Sequence, residues 1–231
     1  MDPVMSRLSA GALRGAAALV NWLEPRPADQ ADFDAWHVQE HIPERMGIPG
    51  FLNARRYVAS GDGPRYGSCL TVYELDAVSA FSSPAYLARL NAPSGWTASM
   101  ASKIASNRRV VCAVVESDGP ARSKEVLVAE RMERQCDQDD VESTAIRDLL
   151  REGSITAGHR LLPDEVAGAG RAGTREGRLA SAVQQPAQPG QLVLVELSES
   201  ADRRAVADRL VAIGMDVVGT YELQLQMGAQ W

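Results

Sequence analysis

The sequence predicts an α+β chain built from two ferredoxin-like βαββαβ units, on three observations. Strand-like and helix-like runs follow one another in that order, the same order recurs after a break near residue 120, and several short segments match between the two halves. Composition agrees with packed globular units: 45% of the 231 residues are hydrophobic and 23% are charged.

Residues 1–16 read as an N-terminal tail. The apolar run AALVNWL (17–23) is the first strand, and a helix follows from about Ala28, announced by Pro27 and by Asp29 and Asp32 in its first turn. Pro43 is expected to end or bend that helix. FLNARRYVA (51–59) and SCLTVYEL (68–75) are rich in β-branched and aromatic residues, and GDGPRYG between them signals a hairpin or short loop. A broken helical region comes next, with Asp76, Ser83 and Ser94 as candidate caps, before RVVCAVVE (109–116) closes a first unit over 17–117.

ESDGPARSKE contains a linker at 118–124. The second unit, 125–231, repeats the order with EVLVAERM (125–132), a helix at about 137–152, ITAGHRLL (155–162), QLVLVELS (191–198), a helix at about 201–213 and MDVVGTYELQLQM (215–227). ALV at 18–20 lies over VLV at 126–128, ARRYV at 54–58 over GHRLL at 158–162, and VYEL at 72–75 over LVEL at 194–197, at offsets of 108, 104 and 122 residues. This is the pattern of a diverged tandem duplication. A single βαββαβ unit leaves one sheet face bare, and two units can cover each other. The stretch 163–190, rich in Gly, Ala, Gln and Pro, reads as a mobile hairpin connection or lid; its GAGRAG follows no strand into a helix and so carries no dinucleotide signature.

FDAWHVQEHIPERMGIPGFLNARRY (33–57), SPAYLARL (83–90) and APSGWT resemble the EthD-like branch of the dimeric α+β barrel superfamily, over about residues 17–117. The resemblance implies a barrel closed within one chain, with a pocket between sheet and helices. It leaves the reaction open, because members include muconolactone isomerases, cofactor-independent monooxygenases of aromatic polyketides, polyketide cyclases and haem-binding enzymes. It also places the histidine of a helix-end H-x-P segment on His41.

His37 and His41 lie four apart on the first helix. Ala31, Ala35, Val38 and Ile42 form an apolar seam suited to packing on the sheet, while Phe33, Trp36, His37 and Glu40 form a separate stripe. On this wheel His37 is the solvent-facing histidine and His41 the one facing a pocket. Imidazole titrates near 6.5, and the helix C-terminus favours its cation, so His41 is the candidate acid/base with His37 assisting. HVQEH also fits H-x-x-E-H, but no further ligand completes a zinc set, so no metal is expected.

Strand alternation sends Asn53, Arg55 and Tyr57 to one face, where Arg55 is placed to hold an anionic group and Tyr57 to donate to a developing oxyanion. Arg56 and Glu74 have counterparts in Arg160 and Glu196, which suggests a structural Arg56–Glu74 contact. Ten of the 12 aromatic residues fall between Trp22 and Trp96, which assigns the pocket to the first unit, with Trp36, Tyr73, Tyr86 and Trp96 as candidate ligand contacts.

A net charge of −6 without a basic block excludes a nucleic-acid binder, and no apolar run is long enough to span a membrane. Three scattered cysteines, Cys69, Cys112 and Cys136, fit a reducing, cytoplasmic setting. The expected function is small-molecule binding, with cofactor-independent isomerase, cyclase, lyase or monooxygenase chemistry on an aromatic or polyketide-like acid. A non-catalytic ligand-binding or accessory barrel is the alternative, and a haem- or metal-dependent member of the superfamily is third. A further homodimer is compatible with either.

Overall fold

A computed structural model describes residues 12–61, 64–133, 139–180 and 187–229. Cys136, Trp231 and the first eleven residues of the expected tail lie outside them.

The first half runs β1 (Ala17–Pro25), α1 (Gln30–Trp36), a π turn (His37–His41), α2 (Ile42–Met46), β2 (Phe51–Ser60), β3 (Cys69–Leu75), α3 (Pro84–Asn91), α4 (Gly95–Met100) and β4 (Ile104–Asp118). The second runs β5 (Glu125–Arg131), α5 (Asp139–Arg151), β6 (Ile155–Pro163), α6 (Glu165–Ala169), α7 (Arg175–Ala180), β7 (Gln191–Leu197), α8 (Arg203–Ala212) and β8 (Asp216–Gly228). Ser83 and Ser94 cap α3 and α4 by accepting from the Tyr86 and Thr97 amides at 3.2 and 2.9 Å.

All eight strands close into one antiparallel barrel in the order β1-β3-β2-β8-β5-β7-β6-β4. Each half contributes the order 4-1-3-2 of a ferredoxin-like sheet. The long strands β4 and β8 weld the halves: β4 pairs first with β1 and then, from Cys112 onward, with β6, and β8 pairs first with β5 and then with β2. No sheet edge is left open, which removes the usual route to edge-to-edge association. Interior side chains such as Val20, Val72, Val110, Val128, Leu194 and Tyr221 fill the lumen. Outer cores lie between each half's sheet and its helices, two of them in the first half and one in the second.

The segment before β1 is tied down from residue 12. Leu13 is fully buried in the barrel core and its amide donates to Ser117 Oγ at 2.7 Å. Gly15 makes this entry feasible: its φ is +79°, and a Cβ there would lie 2.0 Å from the Leu75 carbonyl oxygen.

Arg56 and Glu74 do not meet. Glu74 pairs with Asn53 across the β2–β3 ladder and so shares the lumen face of Asn53 and Arg55. It accepts from Asn53 Nδ2 at 2.8 Å, lies 3.1 Å from Arg55 Nε, and takes the Arg14 amide at 2.6 Å. Glu196 mirrors it, taking the Ser123 amide at 2.6 Å and Arg55 Nη1 at 2.5 Å. Arg56 points outward to Asp34, His37 and Gln224.

Candidate functional site

Pro43 does not end the helical run, which continues to Met46; the backbone takes up the missing donor in a π turn. The Ile42 amide bonds the His37 carbonyl five residues back, and Pro43 then sits in the first turn of α2, where its absent N–H is tolerated. Phe33, Trp36, His37, His41 and Ile42 are buried, while Ala31 is exposed and Val38 half-buried. The aromatic and histidine stripe, rather than the alanine seam, is therefore the packed face.

His37 is fully buried, not solvent-facing. Its ring stacks on both Phe33 and Trp36, at centroid distances of 5.2 and 5.6 Å. Nδ1 accepts from Arg56 Nε at 3.1 Å, which leaves the proton on Nε2, 3.5 Å from Thr71 Oγ1. Burial first, then the Arg56 and Arg45 charges, lower its pKa to about 3.

His41 forms part of the wall of a cavity between the first half's helices and its sheet, in which the centre of a water-sized sphere has about 70 Å³ to move. The Trp36 ring lies 4.4 Å from its own, and Trp36 Nε1 is held by Thr97 Oγ1 at 3.1 Å. Burial, then the neighbouring Arg45, His37 and Arg171 charges, hold His41 well below the ordinary histidine range. The helix-end effect expected to favour its cation is outweighed, and at neutral pH it is a neutral base.

Five buried polar atoms around this cavity have no hydrogen-bond partner within the protein: His41 Nδ1, Arg45 Nη1, Tyr73 Oη, Asn21 Oδ1 and Asn107 Oδ1. Buried polar groups are nearly always satisfied, so five lining residues that each hold an unpartnered polar atom mark this wall as the candidate site. Asn21 and Asn107 lie on the paired strands β1 and β4. Tyr86 Oη accepts from Arg109 Nη2 at 2.9 Å, and the Arg109 guanidinium lies over the Phe81 ring at 5.2 Å.

The second half closes the cavity. After β6 the Asp164 amide bonds the Val111 carbonyl of β4 at 2.8 Å, which carries α6 and α7 across the first half. Arg171 and Glu176 from this connection line the cavity, and Glu176 binds Arg45 Nη2 at 2.5 Å and Arg171 Nη2 at 3.3 Å. GAGRAG is thus part of a covering segment, and residues 181–186 of the expected lid lie outside the described residues.

Of the residues singled out in the sequence, His41, Trp36, Tyr73 and Tyr86 meet at the cavity, and His37 lies behind it. Asn53, Arg55 and Tyr57 share one face as expected, but it is the barrel lumen, on the other side of the sheet. Trp96 bonds Asp32 at 3.0 Å outside the lining. Sequence reading passed over Asn21, Arg45, Asn107, Arg109, Arg171 and Glu176. Two of these carried signals: Arg45 is four residues past His41, and Asn21 is the polar break in an apolar strand. Burial raises the Cys69 thiol to about 11 and pushes Cys112 upward, so neither is a reactive thiolate. Among the described residues no three metal-ligating side chains converge, and no helix is long and apolar enough to cross a membrane.

No protein-family model and no curated relative matches the sequence. Solved structures do. An anthrone oxidase-like protein superposes with a TM-score of 0.55 at 11% identity over 94% of each chain. A Fusobacterium nucleatum protein provisionally named a monooxygenase gives 0.51 at 11% identity, over 94% of this chain and 96% of that one. The fold is the dimeric α+β barrel, here closed by one polypeptide. At this identity the likeness concerns architecture, and chemistry has to be argued from the cavity.

Proposed function

We propose that this barrel is a small-molecule enzyme of the monooxygenase type, whose first-half cavity takes a planar, electron-rich aromatic and in which His41 removes a proton from it. The five unpartnered polar atoms around the cavity carry this reading. A neutral imidazole with a free, buried ring nitrogen can accept a proton, and Arg45, one turn further on, offers a free guanidinium N–H to the oxygen on which the resulting negative charge settles. Trp36 and Tyr73 supply flat walls.

For an anthrone-like substrate the deprotonated ring carbon is an enolate that dioxygen can oxidise directly. The CH2 group loses two hydrogens and gains one oxygen atom as a carbonyl, and the second oxygen atom leaves as water. No added cofactor is needed to balance that reaction, and the anthrone oxidase-like neighbour makes such a compound the first substrate to try. The test is oxygen uptake with a dihydroxyanthrone, read beside quinone absorbance. Uptake and quinone in equal amounts, both saturable and far above the rate without protein, are expected; quinone formation at the uncatalysed rate would overturn the assignment.

A further inference from the structure

The cavity carries more positive charge than its own carboxylate answers. Arg45, Arg109 and Arg171 all line it, and among the described residues Glu176 is the one carboxylate that pairs with any of the three. Arg109 makes no ion pair among the described residues: it donates to the Tyr86 hydroxyl and lies over the Phe81 ring, and Glu176 acts on it only at longer range. Residues 181–186, SAVQQP, add no acidic side chain.

Arg109 and Arg171 also border a second cavity beneath α6 and α7, so they stand where the two spaces meet. Asp164 and Glu165 line that second space. Asp164 Oδ1 is engaged by the Ala167 amide at 2.9 Å as the cap of α6, and Glu165 is exposed. The Arg171 guanidinium is held below its ordinary pKa, by burial and then by the Arg109 charge, the sign of cations gathered without enough counter-charge. Buried cations are stable when paired, and a bidentate fork is the geometry that takes a carboxylate.

We propose that Arg109 and Arg171 form an anion subsite, so that the ligand is an aromatic acid whose carboxylate lies between strand β4 of the first half and the connection supplied by the second. This rests on the reading of the cavity as an aromatic-ligand site and adds the class of substituent the ligand bears. It gives the second half a part in specificity: the reacting ring lies by His41, and a carboxylate distant from it is read by Arg171 from across the barrel.

The test compares naphthoate with naphthamide, which differ in charge and hardly in shape, by calorimetric titration of the full chain. Naphthoate is expected to bind about tenfold tighter, and Arg109→Gln and Arg171→Gln each to remove most of that preference while naphthamide affinity holds within about twofold. Arg171→Lys, which keeps the charge, should retain part of it. Equal affinity of the wild-type chain for acid and amide would overturn the anion subsite and leave the aromatic cavity standing, as would Gln variants that keep the preference. Failure of both probes to bind would overturn the cavity reading and the subsite with it.

Discussion

Arg45 of the first half and Glu176 of the second form a 2.5 Å ion pair with both side chains almost fully buried. This contact joins the helical run bearing His41 to the segment that covers the cavity. Glu176 is buried, which raises its pKa, but Arg45 and Arg171 more than reverse this and hold it ionised. Glu176→Gln would leave two guanidinium groups facing each other in low dielectric. We expect a loss of about 3 kcal/mol in urea-unfolding stability, with Arg45→Met/Glu176→Met less damaging than the sum of its single changes.

Acid should destabilise the protein in two stages. His37 is held at about 3 in the folded chain against an ordinary value of 6.5, so the unfolded chain binds the proton first and stability falls as pH drops from about 6.5 towards 3. Glu196, although burial raises it, is drawn to about 2 by the His159 hydrogen bond and Arg55, and its contribution is complete above its ordinary value near 4.5 and lost as pH falls from there towards 2. Thermal melts across this range check both signs. His37→Gln, which can still accept from Arg56 but does not titrate, should make the upper stage shallower, with His41 and His159, which burial also holds below the ordinary histidine range, supplying the rest.

Arg55 is a barrel residue. It lies between Glu74 and Glu196 in the lumen, so Arg55→Met leaves two buried carboxylates without their shared cation and is expected to cost about 3–5 kcal/mol. The same variant, assayed under conditions where it is folded, should turn over the dihydroxyanthrone within about twofold of wild type. A stable Arg55→Met chain that has lost turnover would instead place Arg55 at the site.

Leu13 closes one part of the barrel core and is fully buried there. Leu13→Ala should lower stability by about 2–5 kcal/mol, measured by urea unfolding, despite its place outside any strand.

Much of the architecture was written in alternation and turn chemistry. All eight strands fall on the runs that sequence periodicity marks, because each must present one apolar face to the lumen and another to helices. Side-chain partnership was legible only where register was. Glu74 pairs with Arg55 and not Arg56 because Asn53 stands opposite it on β2, and no local pattern states which strand residues face each other. The packed face of the helix bearing His41 is not legible from a wheel alone: Phe33, Trp36 and His37 are buried in place of the alanine seam, and the π turn then shifts the positions that follow it, so that Ile42, Arg45 and Met46 continue the buried face. Arg171 and Glu176 stood in a low-complexity stretch whose role depends on β6 lying beside β4, a contact between halves that composition does not encode.

His41 lies on the helix side of the sheet and Tyr57 on the lumen side, so steady-state kinetics of His41→Gln beside Tyr57→Phe on a dihydroxyanthrone test the proposed role of His41 most directly. His41→Gln should lower kcat by at least about a hundredfold with KM little changed, the span expected for loss of a positioned base, while Tyr57→Phe stays within about twofold. Full turnover in a folded His41→Gln chain, or a matching collapse in Tyr57→Phe, would contradict it.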